Sequence, residues 1–234
     1  MQIYWSKLTD VVTESPEVKT FFFECPEDYT WEEGSHIHLA FEGFNTGEKP
    51  DRSLIRHMSI STIRDENTIG ITTRIRKEPS KFKQILNAME IGSEAAIFKT
   101  HTNVPLKREN KNIYMLSSGV GLATFRPLAL EYLNNNNNVT KVHSLNIDSS
   151  KDYLFTDIFE SSAEKNLTAH FVSSRDEYYQ EAEKLTADKD ALFYVVGSDE
   201  FLRQNIELLL KQGIPNYQIM LDKHESQREK LFAN

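Results

Sequence analysis

Two short segments carry the residue types best suited to chemistry. Arg56-His57-Met58-Ser59-Ile60 reads as a strand that bears a cation and a small hydroxyl. Ser118-Gly119-Val120-Gly121-Leu122 follows the apolar strand Ile113 to Leu116 and opens an amphipathic helix. Glycines at such a junction let backbone N–H groups approach a phosphate at the positive end of the helix. Gly197-Ser198-Asp199 repeats the logic after the strand Leu192 to Val196, with Ser198 as N-cap and Asp199 and Glu200 in the first turn. Open α/β sheets place ligands at their strands' carboxyl ends, so Gly197 is expected to face the same crevice as Gly119. Two anion-holding regions imply two nucleotides held against each other. Electron transfer from a nicotinamide to a flavin needs that arrangement.

Each piece alone is ambiguous. Gly119 and Gly121 equally describe a tight β-to-α turn, and Thr124 stands where a full dinucleotide fingerprint has its third glycine. Ser198 alone is simply a helix cap.

The elements that must position these residues change character near residue 105. Before it, short β-rich segments recur at Val18 to Glu24, Ile37 to Phe41, Ile55 to Ile60, Ile69 to Ile75 and Ala95 to Phe98. Their spacing predicts an antiparallel barrel or sandwich, with Phe21-Phe22-Phe23 in a buried strand. One helix interrupts them: Phe82, Ile85, Leu86 and Met89 share a face, and Ser80 takes the N-cap position. After Pro105, strands at Ile113 to Ser117, Thr140 to Leu145, Thr168 to Val172 and Leu192 to Val196 alternate with helices. The helices are expected at Leu122 to Leu133, Leu154 to Ala163, Glu177 to Leu185 and Glu200 to Gln212. This alternation predicts a doubly wound parallel sheet. The expected organisation is a β-barrel over 1–105 followed by an α/β domain over 106–234, and the run Asn134 to Asn138 is a polar helix-to-strand loop.

Composition excludes several classes. In 234 residues, 39% are hydrophobic and 26% charged, so wholesale disorder does not fit. A net charge of −8 argues against a general nucleic-acid or anionic-membrane surface. Cys25 is the only cysteine, which rules out an internal disulfide framework and a four-thiolate cluster. The start, Met1 to Lys7, has no signal-like apolar core, and no run reaches bilayer length, so a cytoplasmic protein is expected. His36 and His38 share a strand face, but nothing completes a metal set, and no metal is expected.

Taken in order, the segments resemble the ferredoxin–NADP reductase superfamily over nearly the whole chain. Arg56-His57-Met58-Ser59 is similar to that family's Arg-x-Tyr-Ser flavin motif, and Glu33-Gly34-Ser35-His36 to its Pro-Gly-Gln-Tyr/Phe segment. Lys77-Glu78-Pro79-Ser80 stands at its Gly-x-x-Ser/Thr clamp. Gly119-Val120-Gly121-Leu122-Ala123-Thr124-Phe125-Arg126 is similar to Gly-x-Gly-Ile-Ala-Pro-Phe-Arg, and Val195-Val196-Gly197-Ser198 to Cys-Gly-Pro/Ser. The chain departs from the pattern at Met58, which replaces an aromatic, at Lys77, which replaces a glycine, and at Val196, which replaces a cysteine.

The resemblance implies a FAD-dependent NAD(P)H oxidoreductase with a flavin-binding barrel and a nicotinamide-binding α/β domain. It assigns the flavin pyrophosphate to Arg56, with Arg74 and Ser80 assisting, and places the Ser59 hydroxyl near flavin N5 as the catalytic group. His57 and Met58 complete the flavin segment; Gly119, Gly121, Thr124, Gly197 and Ser198 belong to the nicotinamide crevice. Ser174-Arg175 stands where NADP-specific members bind the 2′-phosphate, whereas Asp148 in a standard dinucleotide fold binds ribose and favours NAD; the balance favours NADPH. Hydride transfer depends on positioning and requires no strong acid or base. Electrons then pass to a small acceptor or a carrier such as a ferredoxin, flavodoxin or oxygenase. The segment Arg74 to Lys83, with five basic residues and Glu78 as its acid, suits an acidic carrier. The rival reading is a flavin- or nucleotide-binding sensor or interaction subunit without turnover. The tail beyond Asp222 is expected to fray, although Phe232 folding back over flavin or adenine is the alternative.

Overall fold

Val18, Phe21 and Phe23 are each at most 2% exposed, and they anchor the strand β2 (Val18–Glu24) in the core of the first unit. In a computed structural model, which describes residues 2–160 and 165–233, the chain divides into units 1–102 and 103–234. The sequence boundary was expected at 105. Pro105 and Lys107 are tied to the second unit: the Tyr194 hydroxyl donates to the Pro105 carbonyl (2.7 Å) and accepts from the Lys107 amide (3.0 Å).

The first unit is a six-stranded antiparallel sheet. Its members are β1 (Tyr4–Ser15), β2, β3 (Ser35–Ala40), β4 (Ile55–Ser59), β5 (Thr68–Arg74) and β6 (Glu94–Thr102), in the order β4-β3-β6-β1-β2-β5. The sheet curls towards closure where the Ser61 amide donates to the Gly70 carbonyl (2.8 Å) and the Thr72 hydroxyl to Ser61 (2.8 Å). Helix α1 (Lys81–Ala88) seats Phe82 and Leu86, both fully buried, in the barrel core. Burying such side chains contributes about 1.5–3 kcal/mol each.

Strand β1 lies outside the expected set. Only Ser6 and Leu8 are buried along its twelve residues, so its apolar alternation is faint. It exists because its first part pairs with β6 and its remainder with β2. Tertiary pairing, not side-chain pattern, makes this strand.

The second unit alternates β7 (Lys111–Ser118), α2 (Leu122–Asn134), β8 (Val139–Ile147), α3 (Thr156–Glu160), β9 (Leu167–Val172), α4 (Arg175–Leu185), β10 (Leu192–Val196), α5 (Asp199–Lys211), β11 (Ile219–Leu221) and α6 (Glu225–Phe232). The five strands are parallel in the order β11-β10-β7-β8-β9. From β7 the chain winds outwards to β9, then returns to place β10 on the other side of β7. The order therefore reverses between β7 and β10, the crevice position of open α/β sheets. The asparagine run forms the α2–β8 connection, as its polarity predicts.

Two elements correct the sequence reading here. Strand β11 is too short to show a pattern. The expected frayed tail is instead α6, whose Leu231 is 9% exposed and whose Phe232 packs on the α/β core. The expected helix Leu154 to Ala163 is α3 over Thr156–Glu160, and residues 161–164 lie outside the described residues. No helix among the described residues is long and apolar enough to cross a membrane.

Candidate nucleotide sites

The carboxyl ends of β7 and β10 meet at the reversal, where Ser117 pairs with Val196. Gly119 follows with φ +52, a left-handed backbone that a glycine adopts without the cost a Cβ brings. Gly121 presses on β10: a Cβ there would stand 2.8 Å from the Val196 carbonyl oxygen. Gly197 lies across from them, where a Cβ would meet the Phe201 ring at 2.5 Å and the Ser118 hydroxyl at 2.9 Å. These contacts hold the loop–helix entrance tight against the sheet. Buried Asn146, at the end of β8, donates to the Ser117 hydroxyl (2.8 Å) and the Gly119 carbonyl (3.3 Å), bracing the loop from beneath.

The other crevice residues have structural partners. The Ser198 hydroxyl caps α5 by accepting from the Phe201 amide (3.2 Å), and Ser174 caps α4 by accepting from Glu177 (3.2 Å). Thr124 is 4% exposed within α2, so it packs and presents no hydroxyl to solvent. Arg175 is exposed at the start of α4, donating to Glu200 and Gln204 of α5 at 2.7 Å each. Asp148 is buried, and its carboxylate accepts from the Ser150 amide (2.9 Å) and hydroxyl (2.7 Å). Both bonds fall on Oδ1 of Asp148.

In the barrel unit, alternation along β4 separates the motif. Met58 packs on the barrel core and the Arg56 guanidinium sits 5.6 Å from the Phe82 ring centroid. His57 and Ser59 take the other face, where His57 lies 4.0 Å from His38 on β3. β4 is an edge strand, so a ligand along its unpaired edge can meet groups from both faces.

Arg56 donates to the carbonyls of Arg52 and Ile55, each at 2.6 Å, which holds it beside the turn 51–54. That turn meets the start of α1, where Lys81 reaches the Ser53 hydroxyl (3.3 Å) and the Asp51 carboxylate (3.9 Å). Ser80 is exposed at the N-cap and its side chain caps nothing, which leaves first-turn amides of α1 open to an anion. Lys83 donates to the Arg74 carbonyl (2.6 Å); burial, then Arg76 and Arg74, lower its pKa. Arg56, Arg74 and Ser80 thus gather around α1.

On the opposite face, His36 and His38 of β3, His57 of β4 and His101 of β6 form a ring cluster with centroids 4.0–6.1 Å apart. Burial first, then the neighbouring His57, Lys99, His36 and His101, push His38 down to about 4. Among the described residues, no group of three or more His, Cys, Asp or Glu is arranged to hold a metal. Arg56 and His57 also line a cavity of about 1060 Å³.

No protein-family model matches the sequence, and no curated protein matches it. Solved structures do. A ferredoxin NADP+ reductase from Neisseria gonorrhoeae, solved with bound FAD and NADP, superposes with a TM-score of 0.75 at 19% identity, covering 94% of this chain and 98% of that one. The cytochrome b5 reductase domain of Ulva prolifera nitrate reductase gives 0.76 at 15% identity, covering 94% and 97%. A flavohemoglobin from Malassezia yamatoensis with bound FAD and heme gives 0.74 at 14% identity; the match covers 94% of this chain but spans only 60% of that one. The chain shares the fold of these structures: an antiparallel six-stranded sheet followed by a parallel five-stranded α/β sheet.

Within this fold, Gly119, Gly121, Gly197, Ser198, Ser174 and Arg175 share the carboxyl edge of one parallel sheet. Arg56, Arg74 and Ser80 share α1, whereas His57 and Ser59 lie on the outer face of β4. Asn146 was missed from the sequence; the polar residue inside Leu145-Asn146-Ile147 was its signal. Lys49, Arg52 and Lys99, which line the barrel cavity, carried no motif that could have marked them.

Proposed function

We propose that the chain is a flavin-dependent oxidoreductase of the ferredoxin reductase type, which takes a hydride from NADPH onto FAD and hands electrons to a carrier protein or small acceptor. The observation that carries this reading is the pairing of a fold with two anion cradles: open amides at α1 beside Arg56 in the barrel, and the glycine entrance at the β7/β10 reversal. Bound together, a nicotinamide and a flavin supply hydride transfer between ring atoms and release electrons singly or in pairs. The chain's own work is positional. Arg56 and the first amides of α1 hold a pyrophosphate, since a guanidinium stays charged and makes forked hydrogen bonds. Gly119 and Gly121 keep side-chain bulk away from the other pyrophosphate, and Asn146 fixes the carbonyl of Gly119. Ser59, at the end of β4, offers its hydroxyl to the reacting edge of the flavin. The exposed guanidinium of Arg175 selects the 2′-phosphate by exchanging its Glu200 partner, which favours NADPH over NADH.

The test is anaerobic titration of the purified, flavin-loaded full chain with NADPH. An oxidoreductase loses its yellow absorbance within the titration, and electrons appear in an added carrier or dye. A chain that keeps its flavin oxidised under excess NADPH and NADH is a binding module, and the proposal falls.

A further inference from the structure

Strand β8 ends Leu145-Asn146-Ile147, with a polar residue where an apolar one would pack, and Asn146 is only 1% exposed. The β7–β8 register sets it directly opposite Ser117, which is fully buried too. Their neighbours Leu116 and Leu145 turn to the α/β core on the other face of the sheet. Burying a side-chain amide is costly unless its hydrogens find acceptors. Here both do: Nδ2 donates to the Ser117 hydroxyl (2.8 Å) and to the Gly119 carbonyl (3.3 Å). A carbonyl only accepts, so the amino end of the side chain is the end that faces it.

That carbonyl belongs to the peptide joining Gly119 to Val120. In a planar trans peptide the C=O and the N–H point in opposite directions. Holding the carbonyl down on Asn146 therefore turns the Val120 N–H away from the sheet, towards its open carboxyl edge. The backbone also changes hand here, since Gly119 has φ +52 and Gly121 has φ −57 and ψ −24. Successive amides at such a change of hand converge into a concavity suited to an anion. The turn 119–121 spends the Leu122 amide on the same Gly119 carbonyl, while the amides that open a helical turn have no partner within it. A glycine leaves its peptide free to rotate, and Asn146, itself anchored by Ser117, removes that freedom.

The side chain is specific to this task. Leucine fills a similar volume but donates nothing, and aspartate has the same outline but only acceptors, which the Gly119 carbonyl repels. Serine donates but is too short to replace both contacts.

We propose that Asn146 is a positioning residue for dinucleotide binding: through the Gly119 carbonyl it aims the Val120 amide at the pyrophosphate. It therefore sets the affinity for NADPH and NADH alike and takes no part in choosing between them. The inference rests on the nicotinamide reading above and adds to it a residue inside the sheet that touches no ligand.

The experiment titrates the purified full chain by calorimetry with NADP+, with NAD+ and with adenosine 2′-monophosphate, which carries the adenine and the 2′-phosphate but no pyrophosphate. Asn146→Leu and the smaller, still polar Asn146→Ser weaken NADP+ and NAD+ by the same factor, roughly tenfold, the loss expected when one charge-assisted hydrogen bond is misaligned. Their affinity for adenosine 2′-monophosphate stays within about twofold, as for changes remote from a contact. In steady-state turnover the loss falls on KM for both nicotinamides and spares kcat, because a pyrophosphate is bound alike in ground and transition states. Folded variants that keep the parent's dinucleotide affinity overturn the proposal. So does a loss shared equally by adenosine 2′-monophosphate, which marks Asn146 as a packing residue of the sheet edge. Both results leave the nicotinamide reading standing. A parent that binds neither NADP+ nor NAD+ overturns that reading itself, and this proposal with it.

Discussion

Replacing Gly121 by alanine tests whether the nicotinamide entrance depends on backbone approach. The added Cβ would lie 2.8 Å from the Val196 carbonyl oxygen and 3.3 Å from both its carbonyl carbon and Cγ1. The oxygen belongs to β10, which is hydrogen-bonded on both sides to β7 and β11 and cannot yield as a rotamer can. The start of α2 must therefore retreat by roughly half an ångström, and overpacking of this kind costs about 1–3 kcal/mol. Gly121 has φ −57, so alanine also gains about 0.4–1 kcal/mol by stiffening the unfolded chain. Because both contact partners are main chain, the clash is expected at the upper end, and the net loss is about 1–2.5 kcal/mol. At about 2–4 °C per kcal/mol for a chain of this size, Tm falls by about 2–10 °C in calorimetric melting. Gly47→Ala is the control, since its nearest neighbour, the Lys49 carbonyl oxygen, would be at an ordinary 3.6 Å. NADPH affinity should fall in Gly121→Ala while flavin content stays at the parent level. A variant as stable as Gly47→Ala, with unchanged NADPH affinity, refutes the close-approach argument.

Arg56→Ala is expected to stay folded and purify largely without flavin, whereas Ser59→Ala keeps its flavin and loses single-turnover hydride transfer; full flavin occupancy in the first or the parent rate in the second removes that residue's role. Glu200→Gln frees Arg175 from an exposed ion pair and should raise kcat/KM for NADPH by up to about fivefold, leaving NADH unchanged. Arg175→Ala should lower kcat/KM for NADPH alone by roughly tenfold to hundredfold, chiefly through KM; equal losses with NADH would point to a folding defect. His38 and His143 are both pushed from 6.5 down to about 4, foremost by burial, with His57, Lys99, His36 and His101 adding to the shift at His38. At His143, Lys141 and His170 add to it and Glu181 opposes it. A depressed folded pKa means the unfolded chain takes the proton first. The contribution is therefore complete above about pH 6.5 and is lost as pH falls through about 4. The ceiling is about 1.4 kcal/mol per pH unit per group, and partial exposure cuts it to about half. Comparing urea midpoints of the parent and His143→Gln between pH 7 and pH 4 checks this, since the variant's midpoint should fall less steeply.

Much of the architecture was legible because its elements satisfy local rules. Val18 to Glu24 carries Val18 and Phe21-Phe22-Phe23, Leu192 to Val196 is apolar throughout, and both appear with those bounds as β2 and β10. Ser198 announces a helix start, and it accepts the amide that its position predicts. Ser174 caps α4 in the same way, although the sequence marks it only as a 2′-phosphate residue and places the helix start at Glu177. Tyr4 to Ser15 gave no such signal, because a strand that changes partners midway needs no continuous apolar face. The final helix was hidden for a related reason. Its sequence is mostly charged, and only docking of Leu231 and Phe232 on the α/β core makes it a helix rather than a frayed end.

What the sequence determined by itself was the inventory: a barrel half, an α/β half, an arginine–serine strand and two glycine entrances. These are decided by hydrophobic periodicity and by residues with special backbone or capping chemistry, which act over a few positions. Only tertiary structure decided which side chains stand together. Strand order puts Gly119 opposite Gly197 by reversing the winding at β7, and no local pattern encodes which strand lies beside which. Strand alternation in the folded barrel parts Arg56 from Ser59. A bulge at Lys99 joins that residue to Lys49 and Arg52, some fifty positions earlier in the chain, around one cavity. Such groupings depend on pairing register and loop path, which are set by the packing of the whole unit and not by neighbouring residues.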